Sequence, residues 1–377
     1  MKVALVHDFL IQNGGAEAVV KIFAEMFPEA PIFTLVSDER KMDPYFRNRQ
    51  IIPSFIENMP FGKCKYQWFL PLMPLAIEQL NLMNYDLIIS SSSAFAHGVI
   101  TNPDAMHICY CHTPTRYLWT DTYDYVKELK HNIIIRKAIP FALSKIRMWN
   151  RLAAERPNFF LANSKCVQRR IERYYNRKSD IIYPPVETGK FFIADDVEID
   201  KNKGYFLVGG RLVAYKRYDL VVTAFNKLGM RLKIFGDGPE EKKLKQMARG
   251  NIEFLGRASD EERGELYKKA IAFIHPQEED FGITAVESMA SGRPVIAFKK
   301  GGALETVVEN ETGVFFEEQN WPALADTIIK FKPEMFNPQL IRQHAEKFDV
   351  RVFKERIKNF IEHSERGEKY LSADLSK

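Results

Sequence analysis

The sequence predicts an α/β protein built of two doubly wound, Rossmann-like domains facing across a cleft. Three observations carry this. The 377 residues exceed what one compact core holds. Short apolar runs alternate with longer helical patterns in both halves, the signature of a parallel sheet covered on both faces. The alternation is broken once, at Tyr183-Pro184-Pro185-Val186-Glu187-Thr188 and the polar stretch from Asp195 to Lys203, and then restarts. Two prolines forbid helix and central strand alike. The expected domains are therefore residues 1–184 and 185–349, with a final segment 350–377.

In the first half, the strand candidates are Val3–His7, Pro31–Val36, Asp86–Ser90, His107–Cys111, Phe159–Ala162 and Asp180–Tyr183. Helical patterns fill the gaps at Gly15–Met26, Tyr66–Leu82, Ile133–Glu155 and Ser164–Tyr175, the last with Ser164 as a natural N-cap. The second half offers strands at Tyr205–Gly209, Leu232–Phe235, Ile252–Leu255, Ile271–His275, Pro294–Phe298 and Gly313–Phe316. Its helices fall near Tyr218–Leu228, Glu240–Ala248, Asp260–Lys269, Ile283–Ser291, Trp321–Lys330 and Pro338–Lys347, and an amphipathic helix runs from Val350 to about His363. The tail after Gly367 is polar and is expected to fray. In such sheets, ligands bind outside the C-terminal ends of the strands, so the site is expected there.

Apolar and charged fractions are those of a globular protein, and no apolar run reaches the length of a membrane span. The N-terminus reads as a strand rather than a secretory leader. Cys64, Cys109, Cys111 and Cys166 form no disulfide framework, which suits a reducing cytosol. The net charge of +5 is uneven: Lys130 to Lys178 holds thirteen Lys and Arg against two Glu, a net +11, and leaves −6 for the rest. Such a stretch is either a surface that meets anions or the solvated face of two ordinary helices. The expected location is cytoplasmic, with peripheral contact at the inner face of the cytoplasmic membrane. That contact is suggested by the basic stretch and by the aromatic, lysine-bearing segment Phe61–Leu75, for which the competing and commoner reading is plain core. No nucleic-acid partner is expected.

The most informative stretch runs from His275 to Ala297. It places Glu279 in a loop after a buried strand and Glu287, eight positions on, just inside a helix. Gly292 closes that helix and Pro294 opens the next strand. The first amides of such a helix, around Gly282, Ile283 and Thr284, lack intrahelical partners and favour an anion. Carboxylates on either side of that anion can accept hydroxyls, a layout suited to sugar, diphosphate and ribose.

Other strand ends add to this. Arg211 and Lys216 follow Gly209-Gly210, giving a two-pronged grip and a point charge for phosphate oxygens; the competing reading is a pair of solvated charges. Gly14-Gly15 opens a helix after the first strand, either as a phosphate-approach turn or as a plain turn. It is not the Gly-x-Gly-x-x-Gly dinucleotide fingerprint. Phe235-Gly236-Asp237-Gly238-Pro239 and Gly301-Gly302 are further turns at strand ends. His107, Cys109 and Cys111 share one strand face, whose spacing favours buried thiols over a zinc site, so no metal is expected. His112, at the strand end beside Pro114, is either a sugar or phosphate contact or a structural histidine.

These residues resemble glycosyltransferase family four, the retaining group with the GT-B fold, over nearly the whole chain. The likeness rests on Gly210-Arg211 with Lys216, Phe235-Gly236-Asp237-Gly238-Pro239, the paired glutamates, Gly292-Arg293-Pro294-Val295-Ile296-Ala297, Gly301-Gly302 with Glu305, and Gly313. His7-Asp8-Phe9, Gly14-Gly15-Ala16-Glu17 and Tyr110 through Trp119 resemble a subgroup of mannosyltransferases that build O-antigen and related surface polysaccharides. The resemblance implies that Arg211 and Lys216 hold the donor diphosphate, Glu279 bonds the transferred sugar, and Glu287 bonds the ribose. It implies that Phe281, Gly282 and Ile283 present amides, that Gly14 and Gly15 close on the diphosphate, and that His112 sits near the anomeric carbon. It also implies a last helix that crosses back to the first domain. The loop between Arg211 and Lys216, often bearing Pro and Glu in the family, reads Leu-Val-Ala-Tyr here.

The expected activity is transfer of a hexose, foremost mannose from GDP-mannose or another nucleotide-diphosphate sugar, with retention. The expected acceptor is an oligosaccharide or polyprenyl-diphosphate-linked glycan, and no cofactor is needed beyond the donor. The alternatives are a nucleotide-sugar epimerase of the same fold and a non-catalytic nucleotide-sugar-binding module.

Overall fold

The computed structural model describes residues 1–120, 122, 133–194 and 204–366, with only the helical backbone for 133–138. The expected polar linker at 195–203, the expected frayed tail from 367 on, and part of the basic stretch lie outside the described residues. The chain divides into two compact units that meet in sequence at Tyr183 and Pro184.

The first unit is one parallel sheet of β1 (Val3–Leu10), β2 (Ile32–Ser37), β3 (Ile51–Pro53), β4 (Leu87–Ser92), β5 (Met106–Cys111), β6 (Phe159–Ala162) and β7 (Asp180–Ile181). The order is β3-β2-β1-β4-β5-β6-β7. Strand order therefore reverses between β1 and β4, which pair in parallel from Val3↔Leu87 to His7↔Ser91. Val6, Phe33, Leu35 and Ile88 pack with Phe95 and Ile146 in one apolar cluster. Cys109 and Phe160 pack with Val167 and Tyr175 in another. Gly15–Met26 is helical as expected, and the Ser164 hydroxyl caps Lys165–Tyr175 by accepting the Val167 N–H.

Three local expectations are corrected. Strand β1 runs on past His7 to Leu10, so Asp8, Phe9 and Leu10 belong to the sheet and not to the loop. Strand β3 was not foreseen; it is three residues long at the sheet edge, where Pro53 does no harm. Tyr66–Leu82 is not one helix. It forms a tight turn of helix over Tyr66–Leu72 and a separate α-helix over Met73–Glu78. Pro71 and Pro74 lack the N–H groups that a continuous ladder needs.

The second unit holds β8 (Tyr205–Gly209), β9 (Leu232–Phe235), β10 (Ile252–Gly256), β11 (Ala270–His275), β12 (Val295–Phe298) and β13 (Gly313–Phe316). They form a parallel sheet in the order β10-β9-β8-β11-β12-β13, which reverses between β8 and β11. Phe206, Val208 and Ile234 bury against Val221, Phe225, Leu324 and Ile328. The Ile283–Ala290 helix ends in paired bonds, from Gly292 N–H to the Met289 carbonyl (2.8 Å) and from Arg293 N–H to the Ser288 carbonyl (3.0 Å). Gly292 sits at φ +70°, the left-handed cap expected of it.

Candidate functional site

In the second unit the residues of interest gather at the C-terminal ends of β8 and β11, the reversal point where doubly wound sheets take ligands. Lys216 lies in the turn Ala214–Lys216 after β8, and Glu279 in the loop after β11. Lys216 Nζ and Glu279 Oε1 are 2.9 Å apart, with side chains 11% and 17% exposed. Burial disfavours both charges, yet each outweighs that cost for the other. The Glu279 carboxyl is held below its ordinary range, and the Lys216 ammonium above its own.

Two neighbours that the sequence reading passed over complete this corner. His275, the last residue of β11, is fully buried, and its Nε2 lies 4.0 Å from Glu279 Oε2 with no hydrogen-bond partner. Burial pushes its pKa down to about 4, so the ring is neutral. Gln277 Nε2 lies 3.3 Å from His275 Nδ1, and Gln277 Oε1 is buried and unpaired. The available signal was position: residues at the carboxyl end of the strand beside the reversal point.

The loop holding Glu279 is clamped from β12. Gly302 N–H donates to the Glu279 carbonyl at 2.8 Å. A Cβ on Gly302 would come within 2.4 Å of Phe281 Cα, so only glycine allows this approach. Phe281 is buried, its ring edge-on to Phe348 at 5.4 Å. Gly282 is the N-cap of the Ile283–Ala290 helix at φ +95° and has no side chain to occupy the first-turn amides. Thr284 Oγ1, in that first turn, is buried and without a partner.

Glu287 is placed differently from Glu279. Its carboxylate accepts from Arg263 (3.1 Å) and from the hydroxyl of fully buried Tyr267 (3.0 Å). Burial raises its pKa despite Arg263. Arg263 and Tyr267 are four residues apart on the Asp260–Lys269 helix, a spacing that puts both on one face and was legible in the sequence. Arg211 is exposed and forms no ion pair with any described residue.

In the first unit, β1 and the loop after β4 are tied by Asp8. Its carboxylate accepts the N–H groups of Ser93 (2.6 Å), Ala94 (2.9 Å), Phe95 (2.7 Å) and Ala96 (2.7 Å). Gly14 is the N-cap of Gly15–Met26. Glu17, in the first turn of that helix, is buried, with Oε1 3.8 Å from His7 Nε2. Burial acts to lower the His7 pKa, but Glu17, Asp8 and the Ser91 carbonyl together raise it. His112 lies just past β5, half buried, with Nε2 2.7 Å from Ser91 Oγ. Burial, aided by His7, pushes its pKa down to about 3. Cys109 and Cys111 are buried in β5, and burial pushes the Cys109 thiol up to about 12. Much of the basic stretch has structural work. Arg177 donates to the Ala154 and Pro157 carbonyls at 2.7 Å each, and Arg147 to the Leu118 carbonyl at 2.6 Å.

Comparison with known proteins gives two family matches that together run from residue 13 to 365. The Glycosyltransferase Family 4 model covers residues 13–190, and the Glycosyl transferases group 1 model covers 190–365. An uncharacterized glycosyltransferase of Methanocaldococcus jannaschii is 28% identical over 204 residues, 53% of this chain and 55% of that protein. The GDP-mannose-dependent alpha-mannosyltransferase of Corynebacterium glutamicum is 32% identical over 148 residues, 37% of this chain and 36% of that protein. The chain thus spans about half the length, or less, of the curated relatives it matches. Among solved structures, Anabaena HepE in complex with UDP superposes with a TM-score of 0.71 at 17% identity, covering 96% of this chain and all of that one.

Proposed function

The chain belongs to glycosyltransferase family four, with the GT-B fold, and from that premise we propose that it transfers a hexose from a nucleotide-diphosphate sugar with retention of configuration. The carrying observation is the Lys216–Glu279 pair at the β8/β11 reversal, beside the uncapped first turn at Gly282. In this reading the ammonium of Lys216, the guanidinium of Arg211 and the first-turn amides receive the diphosphate as its charge grows on departure. Glu279, ionised by its partner, accepts hydroxyls of the transferred sugar. Glu287 meets the ribose, its carboxylate oriented by Arg263 and Tyr267. Gly14 and Gly15 approach the diphosphate, and His112 the sugar near its anomeric carbon. Protein cations supply the charge a divalent metal otherwise would, so EDTA leaves transfer intact; its loss on chelation would overturn that part.

Mannose from GDP-mannose is the proposed donor, supported by the Corynebacterium relative and by the first-unit motifs. The UDP bound by HepE supports a UDP-sugar as the second reading. The proposed acceptor is a lipid-linked or oligosaccharide glycan. Exposed Phe61, Trp68, Leu72 and Leu75, with Lys65 Nζ 4.2 Å above the Trp68 ring, support contact with a lipid surface. Among the described residues, no helix is long and apolar enough to cross a membrane. A thermal-shift panel of GDP-, UDP- and ADP-sugars tests the donor. Stabilisation led by GDP-mannose supports the reading, and a panel with no response to any sugar nucleotide defeats it. The anomeric configuration of the product, read by NMR, tests retention.

A further inference from the structure

Strand β4 ends in Ser90-Ser91-Ser92, and each hydroxyl meets a histidine ring. Ser90 Oγ is 2.8 Å from His107 Nε2, Ser91 Oγ 2.7 Å from His112 Nε2, and Ser92 Oγ 3.2 Å from His97 Nδ1. The pairs at Ser90 and Ser91 are chemically alike but differ in one respect. His107 Nδ1 is sealed in the interior with no partner. His112 lies past the strand end, half buried, and its Nδ1 is neither sealed nor partnered among the described residues.

The His112 backbone is fixed on both sides. Its N–H donates to the Ser92 carbonyl at 2.8 Å, and its carbonyl accepts from Asn163 Nδ2 at 2.9 Å. The ring lies edge-on to Tyr110 at 5.3 Å. Its one remaining freedom is where the proton sits, and Ser91 decides that. Ser91 is 1% exposed, so its hydroxyl is withdrawn from bulk water. Its carbonyl already faces His7 Nδ1 at 3.0 Å, and among the described residues the one acceptor its hydroxyl reaches is His112 Nε2. A buried donor left unmade is costly, so Ser91 O–H donates to Nε2. With Nε2 accepting, an uncharged imidazole carries its hydrogen on Nδ1. The ring is uncharged, because burial and the nearby His7 hold its pKa near 3.

We infer that Ser91 is a positioning residue that holds the His112 proton on Nδ1 and so presents that nitrogen as a hydrogen-bond donor to an oxygen of the transferred sugar. This rests on the proposed glycosyl transfer for the identity of the oxygen, but not for the state of the ring. An uncharged side-chain donor suits a hydroxyl or ring oxygen, while the charge-assisted bonds to the diphosphate are already assigned to Lys216 and Arg211.

The test is two-bond ¹H–¹⁵N correlation NMR on the full chain with labelled histidine, His112 being assigned by its loss in His112→Asn. The wild type is expected to show the Nδ1–H form. Ser91→Ala is expected to shift the ring toward the Nε2–H form or an exchanging mixture, and Ser91→Thr to restore it. In transfer from GDP-mannose, Ser91→Ala is expected to lower kcat about tenfold, the size of one neutral hydrogen bond, with the affinity for GDP alone unchanged. An Nε2–H signal in the wild type overturns the inference without any variant having to fold. A Ser91→Ala spectrum identical to wild type also overturns it. If Ser91→Ala weakens GDP alone, the oxygen belongs to the diphosphate and the assignment to sugar falls. If the ring behaves as expected but the wild type turns over no sugar nucleotide, the glycosyl-transfer reading fails and the hold of Ser91 on His112 stands.

Discussion

Lys216 and Glu279 come from loops after two adjacent parallel strands, and their 2.9 Å contact spans the point where strand order reverses. Each side chain is mostly removed from water, so each depends on the other to remain charged. Lys216→Ala is expected to cut transfer by about 10²-fold or more, as removal of a donor to a developing oxyanion does. It is also expected to cost roughly 3–5 kcal/mol by stranding Glu279. Glu279→Gln should behave similarly. The double variant Lys216→Met/Glu279→Gln should recover stability but not activity. Denaturant melts beside transfer rates check this, and additive stability losses would contradict the coupling.

Arg211 makes the opposite case. It is exposed and has no ion pair among the described residues, so Arg211→Ala should leave the melting temperature nearly unchanged. Transfer should still fall by about 10²-fold. Wild-type rates in this variant would remove Arg211 from the diphosphate grip.

Gly302→Ala probes the clamp on the loop that holds Glu279. The added methyl would press on Phe281 Cα and disturb the bond to the Glu279 carbonyl. A stability loss of roughly 1–3 kcal/mol is expected. A fall in kcat larger than any change at Gly250→Ala, a position with open space around it and no positive φ, would tie the loss to Glu279. Equal kinetics in the two variants would contradict it.

Stability should fall in acid from a group of buried histidines. Burial pushes His97 and His275 down to about 4 and His107 to about 3. Unfolded, these rings take up protons below about pH 6.5, while folded they do not. Their contribution is therefore present above 6.5 and is lost as pH falls toward 3–4. His7 runs the other way. Its pKa is raised, so its contribution is full below 6.5 and fades as pH rises through the higher value. Thermal melts from pH 4 to 8 should show a steep acid limb, and His107→Gln should make it shallower. A flat profile below pH 6 would contradict this.

Much of the fold was legible because buried parallel strands are dense apolar runs with sharp ends. Ala270–His275 and Gly313–Phe316 illustrate this, and the Ile283 helix was marked by Gly292. Strand β3 was illegible because three residues give no periodicity, and its existence depends on pairing with β2. The Tyr66–Leu82 stretch kept helical spacing in its apolar residues, but that spacing does not register the missing N–H groups of Pro71 and Pro74. Lys216 and Glu279 could be named from charge and position. The partners of Glu287 come from a helix about twenty residues earlier, and the role of Asp8 appears only once the sheet aligns β1 with β4.

Asp8 also bears on how the first sheet assembles. Four successive amides converge on one carboxylate in the C-terminal part of β1. Sliding β1 by a single position along β4 would turn that side chain to the opposite face and leave all four donors dry and unanswered. Misalignment at this seam is thus an all-or-nothing error, so a nascent chain has little ground for settling into a near-miss version of the sheet.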